Sequence, residues 1–469
     1  MNSAVLSSVY IIWVILKGVS AANILLIHQI WNYALVEGLM EKGHNITMLG
    51  PFSDKKSNTE KYHPLVIEGA LDAFLANKDL DIQNGLWDYH PLLSIKLYMD
   101  AQFLVCNHSY HTNGFRTLWN YPDDFKFDLI IIDMTLGPCL YPLIQRFGYP
   151  PTIGVTAFLL PFFISDIFGN GVHSSFLPLF YLQYTENMDF FQRLNNFIYT
   201  HLEIFLKQWY ELPATEKMAR RLLKTELDDF GDIQRHISLV LSNMDPTVHY
   251  ARALTPNIIP VGGLHVKKAK RLPADLLSIV NNSKDGIILL CLGTNIRSAD
   301  LGKDVINNIL SAFSKIKQTV VWKFEEELEN VPKKCHCIKM VTAKRHFRLI
   351  KPLHTPGKLM LRFFSGHPNT KLFISHGGAL STYEAIYHGV PIIGMPFFLD
   401  QKTTVDFLVE RKLALKVDAK NLTAEKLLTT IKEMLNNPRY SDLIREYSSR
   451  MRDQPQTPSR GPYFGRNTL

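Results

Sequence analysis

Only five of the 469 residues are cysteine, too few for a disulfide scaffold, and the odd number leaves at least one thiol unpaired. Past Ala21 no stretch reaches the roughly 18 consecutive apolar residues of a membrane-spanning helix. No basic block interleaved with aromatics occurs either. The 51 Lys+Arg exceed the 43 Asp+Glu by 8, and that excess is spread along the chain, which excludes a nucleic-acid reader. With 25 Pro and 26 Gly there is no collagen-like or low-complexity bias. What remains is 46% hydrophobic and 20% charged, the balance of a folded globular chain and not of a disordered one. At roughly 100–200 residues per domain the length accommodates about two to four domains.

The N-terminus sets the expected compartment. Val9–Leu16 is an uninterrupted apolar run, too short to span a bilayer, ended by Lys17-Gly18 and followed by the small residues Val19-Ser20-Ala21. That pattern reads as a cleaved secretory signal over residues 1–21. Glycosylation triplets at Asn45, Asn107, Asn281 and Asn421 agree with a luminal protein of the endoplasmic reticulum or secretory pathway, without a transmembrane anchor in this chain.

The mature chain alternates short apolar runs with helical spacing. Asn23–His28 and Asn45–Leu49 read as strands around a helix at Tyr33–Lys42, and Phe127–Ile132 reads as a strand stopped by Asp133. The rhythm restarts after Pro256–Gly263, taken as a linker, with strands at Gly286–Leu292, Gln318–Phe324, Leu372–Ser375 and Val390–Gly394. Strand–helix–strand repetition predicts parallel sheets with right-handed crossovers. The expected fold class is α/β, with two doubly wound domains at 22–255 and 256–447, a cleft between them, and a polar tail at 448–469. The aromatic-rich stretch Phe158–Phe205 reads as helices lining an apolar cavity.

One turn carries most of the chemistry. His376-Gly377-Gly378 follows a strand and opens a helix beginning near Ser381, with Glu384 one turn on. Paired glycines admit a ligand to the backbone, and free amides at a helix start attract an anion. The longer string from His367 to Gln401, HPNTKLFISHGGALSTYEAIYHGVPIIGMPFFLDQ, resembles the signature of UDP-glycosyltransferases, nearest the insect-type enzymes. Pro256–His265, Leu292–Leu301, Val321–Pro332 and Arg452–Pro458 resemble other segments of that family.

The resemblance implies a GT-B fold, with two Rossmann-like domains facing a cleft, the acceptor in the first half and the UDP-sugar in the second. Carried over by position, His376, Gly377, Gly378 and Ser381 would hold the diphosphate, and Thr294 would lie beside it. Glu384 would bind the ribose, and Asp400 and Gln401 the transferred sugar. Lys42-Gly43-His44 resembles a family turn that places His28 as catalytic base and Asp133 as its partner. The implied reaction is inverting transfer of a hexose, by family default glucose, to a hydroxyl of a small lipophilic acceptor. The UDP-sugar is a co-substrate, and no metal or other cofactor is expected; partners would be homo- or hetero-oligomers with family members.

Displacing UDP needs a base for the incoming hydroxyl and dipoles for the departing diphosphate. A neutral His suits the first task near pH 7, with a carboxylate on its other nitrogen to set the tautomer. Three departures from the family pattern stand out. The loop between the first strand and His28 is missing, and so is the family's W-x-P-Q motif. In place of that motif a basic stretch runs from Lys334 to His367, and Ser459–Leu469 diverges. Cys335-His336-Cys337 with His346 and His354 matches no common structural zinc spacing. The alternative reading is a non-catalytic variant that keeps the fold and associates with full-length family members.

Overall fold

The computed structural model describes residues 21–27, 33–51, 60–70, 90–157, 159–245, 248–266, 274–293, 296–339, 366–397 and 400–453. Two all-parallel sheets organise them. The first joins β1 (Asn23–Ile27), β2 (Asn45–Gly50), β3 (Tyr62–Val66), β4 (Leu129–Asp133), β5 (Thr152–Thr156), β6 (Ile237–Ser242) and β7 (Ile258–Pro260) in the order β3-β2-β1-β4-β5-β6-β7. The second joins β8 (Ile287–Cys291), β9 (Thr319–Phe324), β10 (Cys335–Lys339), β11 (Thr370–Ser375), β12 (Ile392–Gly394) and β13 (Ala414–Lys416) in the order β10-β9-β8-β11-β12-β13. The runs read as strands in the sequence are strands here. The expected linker at Pro256–Gly263 instead contributes β7, paired in parallel with β6, as the seventh strand of the first sheet.

Helices of the first half are α1 (Tyr33–Glu41), α2 (Pro91–Ser109), α3 (Asn113–Trp119), α4 (Pro142–Arg146), α5 (Phe162–Ile167), α6 (Phe190–Leu206), α7 (Leu212–Leu223) and α8 (Phe230–Arg235). A 3-10 segment, Met134–Leu140, follows β4, and a π turn, Lys207–Glu211, joins α6 to α7. The second half carries α9 (Ala274–Asn282), α10 (Lys303–Ser314), α11 (Ala379–His388), α12 (Asp400–Glu410), α13 (Ala424–Asn436) and α14 (Pro438–Arg452). In α14 the Ser448 hydroxyl donates to the Tyr387 carbonyl at 2.5 Å and Met451 is fully buried, so ordered structure runs past residue 447 to Arg452.

Strand alternation divides each half into layers. Leu25, Ile27, Ile130 and Ile132 feed one core, and Ile24, Leu26, Leu129 and Ile131 the other. In the second sheet Ile287, Leu289 and Phe373 face one way, and Ile288, Leu290, Leu372 and Ile374 the other. Burial on both faces is why these strands are continuous apolar runs and not alternating ones. The first of those two C-terminal cores also takes Leu177, Leu179, Leu182, Val248 and Tyr250 from the first half, so the halves share a hydrophobic seam.

The stretch expected to line an apolar cavity is corrected by α6. Its buried residues are Asn196, Thr200 and Glu203, whereas Phe190, Phe191, Phe197 and Phe205 are exposed. The buried stripe continues through Lys207 and Glu211 of the π turn into Thr215 and Ala219 of α7. A π turn adds a residue per turn, so a near-constant four-residue spacing keeps one side facing inward. Asn196 explains part of the inversion: its amide donates to the carbonyls of Ser174 and Leu177 and accepts from the Leu179 amide at 2.7 Å. Cys106 of α2 and Cys139 of the 3-10 segment form a disulfide, which spacing alone did not reveal.

Candidate active site

Both sheets reverse direction at their first strand, and ligands of open parallel sheets bind at such switch points, beyond the carboxyl ends of the strands. In the first sheet β1 and β4 meet there, with Ile27 opposite Ile132. Asp133 closes β4 at this edge, buried, and His28, the expected base, lies outside the described residues. Asp133 Oδ1 accepts from the Thr135 amide at 2.9 Å and also from the Thr135 hydroxyl. The carboxylate thus caps the 3-10 segment that follows.

In the second sheet β8 and β11 meet, with Cys291 opposite Ser375. Gly293 and His376 follow directly; Thr294, expected beside the phosphates, lies outside the described residues. The two glycines are required here by contact. A Cβ at Gly293 would stand 2.7 Å from Nε2 of His376, and one at Gly378 would stand 2.3 Å from the same atom. Gly377 has φ +83 and packs its open side on Val405 and the Gln401 carbonyl. The His376 ring is therefore held edgewise between two backbone segments.

Lys323, fully buried at the end of β9, donates Nζ to the Gly293 carbonyl and pairs with Glu325 at 3.3 Å. Burial first, and Lys323 second, push the His376 imidazole down to about 4, so the ring is neutral at pH 7. Among the described residues its Nδ1 has no hydrogen-bond partner. Lys323 escaped the sequence reading, although a lysine inside the apolar run TVVWKF was the available signal.

Helix α11 starts at Gly378 without a side-chain cap, leaving its first-turn amides to solvent or a ligand. The Ser381 hydroxyl donates back to the Gly378 carbonyl at 2.9 Å. Glu384 is buried one turn further along. Asp400, half-buried in the first turn of α12, has its carboxyl pushed up to about 7 by burial. Gln401, next to it, accepts from the Phe397 amide through Oε1 at 3.0 Å. His376, Gly377, Gly378, Ser381, Glu384 and Asp400 are brought together at one strand-to-helix edge, and Gln401 braces that edge.

The halves are stitched beside this helix. The Tyr383 hydroxyl lies 2.9 Å from Nδ1 of His249 and 3.3 Å from the Asn243 carbonyl, and His265 Nε2 lies 2.9 Å from the Leu380 carbonyl. The helix that follows the glycine turn in one half thus packs against the carboxyl end of β6 in the other.

Two parallel doubly wound sheets with that arrangement define a GT-B glycosyltransferase fold. Solved structures agree: the glycosyltransferase of kitacinnamycin superposes with a TM-score of 0.59 at 15% identity, covering 94% of this chain and 98% of that one. The calicheamicin glycosyltransferase CalG4 gives 0.58 at 13% identity, covering 95% and 96%.

The family follows from the sequence itself. The family described as UDP-glucoronosyl and UDP-glucosyl transferase matches residues 28–461, and the chain belongs to it. Relatives include UDP-glycosyltransferase UGT4 of Dactylopius coccus, 30% identical over 90% of this chain and 79% of that protein. UDP-glucuronosyltransferase 2B15 of Homo sapiens is 28% identical over 92% and 80%. Among the described residues no helix is long and apolar enough to cross a membrane, and no cluster of three metal-ligating side chains occurs. Cys335, buried, and Cys337, half-buried, lie on the edge strand β10, while His346 and His354 fall outside the described residues.

Proposed function

We propose that this chain transfers a hexose, glucose in the first instance, from its UDP-sugar to a hydroxyl of a small lipophilic acceptor with inversion at the anomeric carbon. The observation that carries the reading is the coincidence of two residue sets with two switch points. Asp133 ends the strand beside the exit of β1, and the His376–Gly378 turn ends the strand beside β8. In the reading, His28 takes the acceptor proton while Asp133 holds its ring, and the deprotonated oxygen attacks the anomeric carbon in line as the C–O bond to UDP breaks. The departing diphosphate is met by the first-turn amides of α11 and by His376, which at neutral pH acts as a hydrogen-bond donor and not as a cation. Thr294 and Ser381 flank it, Glu384 takes the ribose, and Asp400 with Gln401 orients the sugar. Luminal residence follows from the N-terminal segment and is part of the same proposal.

Sugar choice is drawn from the names of relatives. UDP-glucosyltransferase 2 of Dactylopius coccus is 27% identical over 92% of this chain, whereas the human relatives are glucuronosyltransferases. Calorimetry with UDP, UDP-glucose and UDP-glucuronic acid, followed by turnover with a panel of phenols and alcohols, tests it. We expect micromolar donor binding that is weakened at least about tenfold, roughly one lost hydrogen bond to a charged group, by His376→Ala. His28→Ala should abolish turnover and leave UDP binding intact. Equal turnover in wild type and His28→Ala would sink the mechanism, and no donor binding by a folded sample would favour the non-catalytic variant.

A further inference from the structure

The inward stripe of α6 and the π turn ends on a buried ion pair that the transfer chemistry leaves unused. Lys207 Nζ lies 2.7 Å from Glu211 Oε2, and both side chains are almost wholly buried. The ammonium sits over the Tyr98 ring at 4.8 Å and the Phe163 ring at 5.0 Å. A buried pair of this kind costs desolvation that well-packed apolar residues would avoid, so its stability contribution does not account for it. Its connections do.

Lys207 donates to Gln102 Oε1 at 2.6 Å, and Gln102 Nε2 donates to the Thr135 carbonyl at 2.8 Å. An ammonium has donors only, so it fixes which end of the amide faces it and turns the NH2 group toward Thr135. The Tyr98 hydroxyl donates to the same carbonyl at 2.8 Å. Thr135 then passes both its donors to Asp133 Oδ1. Gly137, with φ +72, completes the fit: a Cβ there would stand 3.3 Å from Gln102 Oε1 and from Glu211 Oε1. Burial first, and then the carboxylates of Glu211, Asp133, Glu203 and Asp400, raise the Tyr98 phenol.

We propose that Lys207, Glu211 and Gln102 are positioning residues that orient the Asp133 carboxylate through Thr135 for the transfer reaction. The proposal rests on reading Asp133 as the partner of the catalytic base. None of the three touches the reacting atoms; they act by fixing the segment on which Asp133 and Thr135 lie.

The test uses the full chain, UDP-glucose and the fluorescent phenol 4-methylumbelliferone. Gln102→Glu keeps an acceptor for Lys207 and the same volume but loses the donor to Thr135. The double variant Lys207→Met with Glu211→Met removes the pair together and leaves buried Glu203 to stay protonated without its cation. Both should lower kcat about 10- to 100-fold, the scale of an angstrom-level misplacement, while UDP affinity and donor KM stay within about twofold of wild type. A purely structural role predicts a lower melting temperature with unchanged kcat in the folded fraction, and that result overturns the proposal. So does unchanged kcat in Gln102→Glu, which retains shape if the double variant does not fold. A wild-type chain that transfers no glucose fails at the step before any variant is made. That outcome overturns the functional reading and this inference with it.

Discussion

Helices α6 and α10 are both amphipathic, and they face opposite ways. In α10 the buried side is Ile306, Ile309, Leu310, Ala312 and Phe313, the apolar stripe a helix normally turns to a sheet. In α6 the buried side is Asn196, Thr200 and Glu203, and rings stand outside, with Phe191 72% exposed and nearby Trp209 74% exposed. The periodicity of a segment identifies two faces without saying which one is inside. Partners decide that. α10 meets the apolar residues of β8 and β9, whereas α6 meets the carbonyls of Ser174 and Leu177 through Asn196, and Lys207 and Tyr181 through Glu203. The surroundings of α10 are built by apolar burial, and the inward face of α6 by buried polar groups, which is the harder pattern to read from composition.

Substitution breaks this contrast most directly. Phe313→Ala should cost about 3–5 kcal/mol in denaturant unfolding, as deletion of a buried ring does. Phe191→Ala should stay within about 0.5 kcal/mol, since little packing is lost at an exposed position. Comparable losses at the two sites would show that the outer face of α6 is covered in solution.

Acidification sharpens the comparison with a smaller effect. His376 of the glycine turn is pushed down to about 4 from 6.5, so the native chain binds fewer protons there than the unfolded chain. Its contribution is present above pH 6.5 and is lost as pH falls toward 4. His249, held down to about 3 by burial and Arg252, acts in the same direction. Asp400, raised to about 7 from 3.8, acts in the opposite one, lowering stability as pH rises through that window. His376→Gln should therefore reduce, without removing, the drop in urea midpoint between pH 7 and pH 5. An unaltered drop would mean that the ring titrates normally in its glycine slot.

Much of the architecture was legible because both sheets are buried on two faces. NILLI, LIIID, IILLC and LFIS need no period to be read as strands, and Asp133 and His376 are marked by being the first polar residues after such runs. The short edge strand β7 was hidden by its prolines and glycines, and read as a linker. Nothing in the spacing of Phe397 and Gln401 records that the side chain of one accepts from the amide of the other. Lys207 and Glu211 look like an ordinary surface pair four residues apart. The π turn and Gln102 of α2 bring them inside.

The bond between Cys106 and Cys139 reaches further than packing. It ties α2, one turn from Gln102, to the 3-10 segment that carries Thr135, so a covalent link runs parallel to the hydrogen-bond relay. Such links persist in oxidising compartments and are reduced in a bacterial cytosol. Protein made in a reducing host would therefore hold the Asp133 segment by hydrogen bonds and packing, without the covalent tie. Native material should show three titratable thiols after denaturation without reductant, those of Cys291, Cys335 and Cys337. A reading of five identifies a preparation whose low turnover reports on the expression host and not on the enzyme.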